Sequence, residues 1–100
     1  MAEPTDKIRF RKEMGITRKE FLRNLATALP AQPYRVEHDN ISIETPARQI
    51  VIRLNDQHQR CIGSLQLPRM LVDFSFSGYT RAEAESFIRH IDIHFRRGGG

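Results

Sequence analysis

The chain carries the stretch Thr17-Arg18-Lys19-Glu20 near its start and repeats the pattern near its end, as Thr80-Arg81-Ala82-Glu83. In a Thr-x-x-Glu capping box the Thr hydroxyl accepts a hydrogen bond from the Glu backbone N–H, and the Glu carboxylate accepts one from the Thr N–H. Each stretch therefore predicts the first turn of a helix. Between the two predicted helices the sequence shows only short alternating runs, which are typical of strands.

The first predicted helix has a well-defined start, apolar stripe and end. Ile16 precedes the Thr17 cap and Phe21 occupies the fourth helical position, which is the arrangement of a hydrophobic staple. Pro30 and Pro33 end the helix. Its apolar residues recur at helical spacing and form one stripe: Phe21, Leu22, Leu25, Ala28 and Leu29.

The middle of the chain alternates apolar and polar residues, which predicts four strands in an antiparallel meander. Asp39-Asn40 predicts a tight hairpin turn, and residues 45–48 predict a second turn around Pro46. Pro68 interrupts the fourth strand, either as a hairpin turn or as a bulge. The apolar positions of the four strands are Tyr34 and Val36; Ile41 and Ile43; Ile50, Ile52 and Leu54; and Leu65, Leu67, Met70, Val72, Phe74 and Phe76.

The second predicted helix also has a single apolar stripe, and Gly98 predicts its end. Helices of this kind cover a sheet rather than lie fully buried. We therefore predict an α+β fold with two layers and the order α-β-β-β-β-α, in which both helices pack on one face of a four-stranded antiparallel sheet. The stripe of the second helix comprises Ala84, Phe87, Ile88, Ile91 and Phe95.

Length and composition predict an ordinary cytoplasmic protein with one folded domain. Of its 100 residues, 39% are hydrophobic and 28% charged, a balance that argues against disorder. The lone Cys61 cannot form an internal disulfide, and neither a signal peptide nor a membrane span is apparent. We expect a charged, partly flexible arm at residues 1–15, the α+β domain at 16–97 and a glycine tail at 98–100.

The net charge is +4, and 13 of the 16 basic residues are arginines. Their guanidinium groups suit phosphate or carboxylate partners. Ile8 and Phe10 alternate with arginines, so this part of the arm fits a short strand or another ordered segment. The basic residues that run from the arm into the first helix form a candidate phosphate-binding track: Lys7, Arg9, Arg11, Lys12, Arg18, Lys19 and Arg23.

RNA binding through this basic track is the alternative function that the sequence predicts. An RNA-binding sheet normally presents aromatic rings on its exposed face. Here Phe74 and Phe76 share the inward parity of Met70 and Val72, so the sheet itself is a poor stacking platform.

Metal binding has one weak candidate pair. His90 and His94 are four residues apart on the second helix, a spacing that lets two imidazoles share a metal. Both lie at the border of the apolar stripe. Asp92 is on the wrong face of the helix, so a third ligand would have to come from His38, His58 or Cys61. We predict no metal site, no cofactor and no catalytic residue, because the chain has no glycine-rich phosphate loop, nucleophile elbow or activated thiol.

The chain ends in Arg96-Arg97-Gly98-Gly99-Gly100. Ubiquitin-like and sulfur-carrier proteins resemble it in ending with Gly-Gly, a flexible terminus that can thread into an activating enzyme. The resemblance covers the last residues only. Those families place a strand before the tail and begin with a hairpin, whereas this chain has a predicted helix before the tail and another near its start. A carrier function is therefore disfavoured.

The function that the sequence favours is a small, non-enzymatic binding or adaptor module that acts through protein–protein contacts, with a protein partner or a second copy of itself. Val51, Arg53 and Leu71 are the candidate partner-binding residues. Val51 and Leu71 place apolar side chains on the otherwise polar sheet face, where they can contact a partner. The segment from Ile8 to Phe10 can also add along a sheet edge.

Overall fold

The computed structural model describes residues 7–56, 60–62, 65–67 and 69–99. Along these residues the elements are β1 (Ile8–Met14), α1 (Arg18–Ala28), β2 (Arg35–Glu37), β3 (Asn40–Glu44), β4 (Gln49–Asp56), β5 (Arg60–Ile62), β6 (Leu65–Leu67), β7 (Met70–Ser77) and α2 (Arg81–Gly99). In this described part of the chain, no helix combines the length and the apolar character needed to cross a membrane.

The main sheet has five strands in the order β1-β7-β4-β3-β2, and every neighbouring pair is antiparallel. The strands β5 and β6 pair with each other in a separate two-stranded sheet. The predicted α+β class and the antiparallel sheet are confirmed. The predicted number of four strands is wrong, because the main sheet has a fifth strand, β1.

Strand β1 comes from the segment that the sequence assigned to the charged arm. Ile8 lies opposite Phe76, Phe10 opposite Phe74 and Met14 opposite Met70, so the three apolar residues of β1 extend the inner face of the sheet. The Phe10 and Phe76 rings meet edge to face, with centroids 5.9 Å apart. The alternation of Ile8 and Phe10 with arginines fits a short strand, but because β1 pairs with β7, more than fifty residues away in sequence, nothing local shows that this segment belongs to the main sheet.

Both helices pack on the inner face of the sheet, and one apolar core lies between the two layers. The core contacts include an edge-to-face pair between Phe21 of α1 and Phe95 of α2, with ring centroids 4.8 Å apart. The helices contribute Phe21, Leu25, Ala28, Ala84, Ile88, Ile91 and Phe95 to the core, and the sheet contributes Ile41, Ile43, Ile50, Ile52, Leu54, Met70, Val72, Phe74 and Phe76.

Both predicted capping boxes are present. Glu20 N donates to Thr17 Oγ1 at 3.1 Å, and Thr17 N donates to Glu20 Oε1 at 2.9 Å. The second box repeats this geometry, since Glu83 N donates to Thr80 Oγ1 at 3.1 Å and Thr80 N to Glu83 Oε1 at 2.9 Å. Each box satisfies two backbone N–H groups that a helix start would otherwise leave without a partner.

The hairpin between β2 and β3 turns one residue earlier than predicted. Glu37 pairs with Asn40, so the turn consists of His38 and Asp39, and His38 has a φ of 54°. Arg18, the first residue of α1, holds this turn: its Nε donates to Asp39 Oδ1 at 3.3 Å and its Nη2 donates to the His38 carbonyl. A tertiary contact therefore stabilises a left-handed conformation that is uncommon for residues other than glycine.

The end of α2 and the segment around Pro68 can also be compared with the sequence predictions. Helix α2 continues through Gly98 to Gly99 instead of ending at Gly98, because glycine lowers helix stability without preventing helical geometry. The prediction that Leu65 and Leu67 begin the fourth strand of the sheet is wrong, because Leu65–Leu67 forms β6, which pairs with β5 in the separate two-stranded sheet. Pro68 lies outside the described residues, so its predicted role as turn or bulge stays open.

The second capping box makes stability depend on pH. The hydrogen bond from the Thr80 backbone N–H holds the pKa of Glu83 below its ordinary value of 4.5. A carboxylate with a lowered pKa in the folded state contributes stability above its unfolded pKa, and this contribution is lost as the pH falls through the folded pKa. We expect Glu83→Gln to lower Tm at pH 7 and to have a smaller effect at pH 3, as measured by thermal melts. Glu85→Gln, an exposed change in the same helix, is the control; an equal Tm loss for Glu83→Gln at both pH values would contradict the prediction.

Gly78 links β7 to α2 and has no room for a side chain. Its φ is +82°, and a Cβ built there would lie 2.5 Å from the Ala47 carbonyl oxygen. We expect Gly78→Ala to lower the free energy of unfolding by about 1–3 kcal/mol, because it adds a steric clash to a left-handed conformation. Urea denaturation measures this, with Gly15→Ala as control, since Gly15 is exposed and its φ is not positive. Equal losses in the two variants would contradict the explanation.

Candidate binding surface on the open sheet face

The helices cover one face of the main sheet and leave the other face, here called the open face, exposed to solvent. Strand alternation decides which side chains stand on it, because successive residues of a strand point to opposite faces. In β7, Met70, Val72, Phe74 and Phe76 are buried in the core, whereas the residues between them are only partly buried. The open face is therefore built from Leu71, Asp73, Ser75 and Ser77 and from their cross-strand neighbours.

One cross-strand row spans the entire open face. From edge to edge it consists of Arg9, Ser75, Val51, Ser42 and Arg35, one residue from each of the five strands. We call it the Arg9–Arg35 row. Its three central residues are small, and its two ends are arginines. With strands about 4.8 Å apart, the backbones of the two arginines are separated by about 19 Å.

The next row contains Arg11, Asp73, Arg53, Asn40 and Glu37. Asp73 accepts hydrogen bonds from Arg11 Nε at 2.7 Å and from Asn55 Nδ2 at 3.1 Å. The hydrogen bond and the charge of Asp73 raise the pKa of Arg11 above its ordinary value. Arg11 and Asp73 thus satisfy each other, and Asn55 holds the carboxylate in place from β4.

Two concavities lie along the Arg9–Arg35 row. The larger, of about 590 Å³, lies above Ser75 and Val51 and is bordered by Arg9, Arg11 and Arg53. The smaller, of about 250 Å³, lies at the other end of the row. It is lined by Pro33, Tyr34, Arg35, Ser42 and Glu44. Because the central residues of the row are short, the open face forms a shallow trough rather than a flat surface.

The three predicted partner-binding residues all lie on the open face. Val51 and Arg53 are two residues apart on β4, and both border the larger concavity. Leu71 lies in the neighbouring strand β7, opposite Asn55 of β4. Alternation within each strand was enough to place them on this face. It did not show that Ser42 and Ser75 flank Val51 or that Arg35 lies beyond Ser42, because the register between strands is a tertiary property.

The predicted basic track is divided by the fold. Arg9 and Arg11 stand on the open face, and the exposed Lys7 directly precedes β1. Lys19 and Arg23 are exposed on α1, in the layer on the opposite side of the sheet.

The two remaining residues of the track have structural partners. Arg18 holds the His38-Asp39 turn. Lys12 is on the inner face of β1, opposite Val72, and its Nζ pairs with the Asp92 carboxylate of α2 at 2.9 Å. The seven basic residues therefore do not form one continuous surface.

His90 and His94 lie close together, with ring centroids 4.3 Å apart, but each ring already has a partner. His90 Nε2 lies 2.7 Å from the carbonyl oxygen of Ala28, the last residue of α1. His94 Nδ1 lies 3.0 Å from the His90 carbonyl oxygen. A carbonyl only accepts, so both nitrogens must donate. His90 thus satisfies one of the free carbonyls at the end of α1.

No third ligand joins the histidine pair within the described residues. Among them, no group of three His, Cys, Asp or Glu side chains is placed to hold a metal ion. His58 and the Cys61 side chain lie outside what the structure describes, so the predicted absence of a metal site and of catalytic residues stays a prediction.

No protein-family model, no curated protein and no solved structure matches this chain. The candidate surface therefore rests on the geometry and the charges of the open face.

The structural role of His90 predicts the behaviour of two alanine variants. We expect His90→Ala to lower the free energy of unfolding by about 1 kcal/mol, because it removes the donor to the Ala28 carbonyl. His94→Ala is the control with a smaller expected loss, since its partner lies within the same helix. Zinc should leave the Tm of the unaltered protein unchanged. A zinc-dependent rise in Tm that either alanine variant abolishes would show instead that the pair binds metal.

Proposed function

We propose that this protein is a small, non-enzymatic binding module of the cytoplasm, and that the open face of its sheet docks a protein partner. The observation that carries the proposal is the trough along the Arg9–Arg35 row, which combines small central residues with arginines at its borders. Arginine is enriched in protein interfaces because its planar group makes directed hydrogen bonds and is weakly hydrated. Val51 adds an apolar contact in the middle of the trough.

The aromatic residues favour a protein partner over single-stranded RNA. All eight aromatic residues of the chain lie in the core or pack against it. The five residues of the Arg9–Arg35 row include no aromatic ring, and Tyr34, the one ring that lines the smaller concavity, packs against the core. Stacking on exposed rings is the main attraction of sheet-based RNA binding. RNA binding through the basic track has less support, because the fold separates Lys19 and Arg23 from Arg9 and Arg11.

The inner face of β1 disfavours self-association along this edge. An edge strand exposes unpaired N–H and C=O groups that can pair with another strand. Lys12 puts a charged side chain on the core side of β1, and a charge in that position is a common protection against edge pairing. A partner on the open face is therefore favoured over a second copy that extends the sheet at β1.

A site-specific crosslinking experiment tests the proposal. A photoreactive amino acid replaces Ser75 in the trough or, as control, the exposed Thr27 on α1, and each variant is irradiated in cells of the native source. We expect the Ser75 variant to give a discrete crosslinked protein that is absent from the Thr27 variant. Adding Arg53→Glu to the Ser75 variant should lower the yield of the crosslinked protein. Adding Arg23→Glu, which makes the same charge change on α1, should leave the yield unchanged.

Three outcomes would contradict the proposal. The first is that no adduct forms at Ser75, and the second is that the same adducts form at both positions. The third is that the Ser75 adduct contains nucleic acid instead of protein. Thermal melts of each variant establish that the fold is retained, so a lost adduct reports on the surface.

A further inference from the structure

The Arg9–Arg35 row has the dimensions of a short extended peptide. Its ends are about 19 Å apart, and an extended chain advances about 3.3 Å per residue, so about six residues reach from one arginine to the other. The two concavities occupy successive parts of this path, one beside Arg9 and the other beside Arg35. A segment that follows the row crosses all five strands and contacts side chains rather than a sheet edge.

The charges of the row are available to a partner. Within the described side chains, neither Arg9 nor Arg35 forms an ion pair, and the same holds for Arg53 beside the trough. Arg11 is different, because Asp73 already occupies its guanidinium group. Arginine can bind a carboxylate through two parallel hydrogen bonds, so a guanidinium group without an ion pair among the described side chains can bind an acidic side chain of a partner.

The centre of the row has a different chemistry from its ends. Ser75 and Ser42 offer hydroxyl groups on either side of the apolar Val51, and Asn40 adds an amide at the border of the larger concavity. These short polar groups can hydrogen-bond to a peptide backbone. They leave room for small neutral side chains between two acidic ones.

The acidic residues beside the row disfavour a ligand that carries a negative charge at every unit. Asp73, Glu37 and Glu44 stand on the open face beside the row. A nucleic acid carries a negative charge at every nucleotide, so it would bring some phosphates against these carboxylates. A peptide can instead place its acidic residues at the arginines and neutral residues elsewhere, which is how charge patterns give specificity.

We propose that the open face binds an extended acidic segment of a protein partner, about six residues long, that lies along the Arg9–Arg35 row with a carboxylate at each end and small neutral residues between. This inference rests on the proposed function and specifies the chemistry of the partner segment. Arg9 and Arg53 hold one end of the segment, and Arg35 holds the other.

Titration with synthetic peptides tests the inference. The probe is a capped hexapeptide with Glu at both ends and Ser, Gly and Ala between, added to the ¹⁵N-labelled full chain. Two comparison probes are a hexapeptide with both Glu residues adjacent at its centre and a six-nucleotide single-stranded DNA. We expect saturable shifts of the Ser42, Val51 and Ser75 amide signals, with tightest binding for the probe that has terminal Glu residues.

A matched pair of double variants identifies the residues responsible. The double variant Arg9→Glu with Arg35→Glu reverses the charge at both ends of the row. The residues directly opposite these positions are serines, so the new carboxylates face no acidic residue across the strand pair. We expect this variant to lose at least about tenfold in affinity, the equivalent of one charge-assisted hydrogen bond. Arg23→Glu with Arg89→Glu makes the same change in net charge on exposed helix positions and should keep the affinity within about twofold, since exposed charges away from a contact contribute little. Thermal melts check that both variants fold.

The inference is overturned if the centrally charged hexapeptide or the DNA binds as tightly as the probe, if the signals that shift lie on the helices, or if the two double variants lose affinity equally. It is also overturned if no peptide binds. In that case the crosslinking at Ser75 distinguishes the two proposals. If a protein adduct forms there, the open face binds a protein and only the acidic segment is rejected as its ligand. If no adduct forms, both proposals are rejected.

Discussion

The alternation of buried and partly buried residues along β7 is the constraint on which the rest of the structure depends. Met70, Val72, Phe74 and Phe76 are each at most 1% exposed, and β7 pairs with β1 on one side and β4 on the other. A shift of one residue in this register would turn four core side chains to solvent and Asp73 into the core. The same alternation places Asp73 and Ser75 on the open face. The core and the candidate binding surface are therefore two consequences of one pattern.

How much the sequence predicts depends on how local each interaction is. The capping boxes, the staple at Phe21 and the strand alternation involve near neighbours, and the structure confirms both helices and the antiparallel sheet. The strand β1 was not predicted as part of the sheet because it pairs with β7, at the other end of the chain. The turn at His38 was misplaced because Arg18, twenty residues away, stabilises it. The candidate site has the same limit: alternation put Val51, Arg53 and Leu71 on one face, but only the register showed that Arg9 and Arg35 end a common row.

The basic residues serve different purposes, so the net charge alone is a poor guide to a binding surface. Arg18 holds a turn and Lys12 joins β1 to α2 through Asp92. Arg48 pairs with Glu83 and stacks on the Tyr79 ring, 4.7 Å from its centroid, where it links the β3–β4 turn to the start of α2. These contacts are partly exposed and each contributes little to stability, but they fix the position of loops and edges. What distinguishes Arg9, Arg35 and Arg53 is that they stand on one face without such an ion pair among the described side chains.

The small residues of the open face fit the proposed binding role. Exposed positions in central strands are usually stabilised by β-branched or aromatic residues, which pack against their cross-strand neighbours. Here Ser75 and Ser42 occupy such positions on either side of Val51. Serine provides less packing there than a β-branched or aromatic residue. The proposed binding of an extended backbone is consistent with serine at these positions, because short hydroxyl side chains leave space above the sheet and can still form hydrogen bonds.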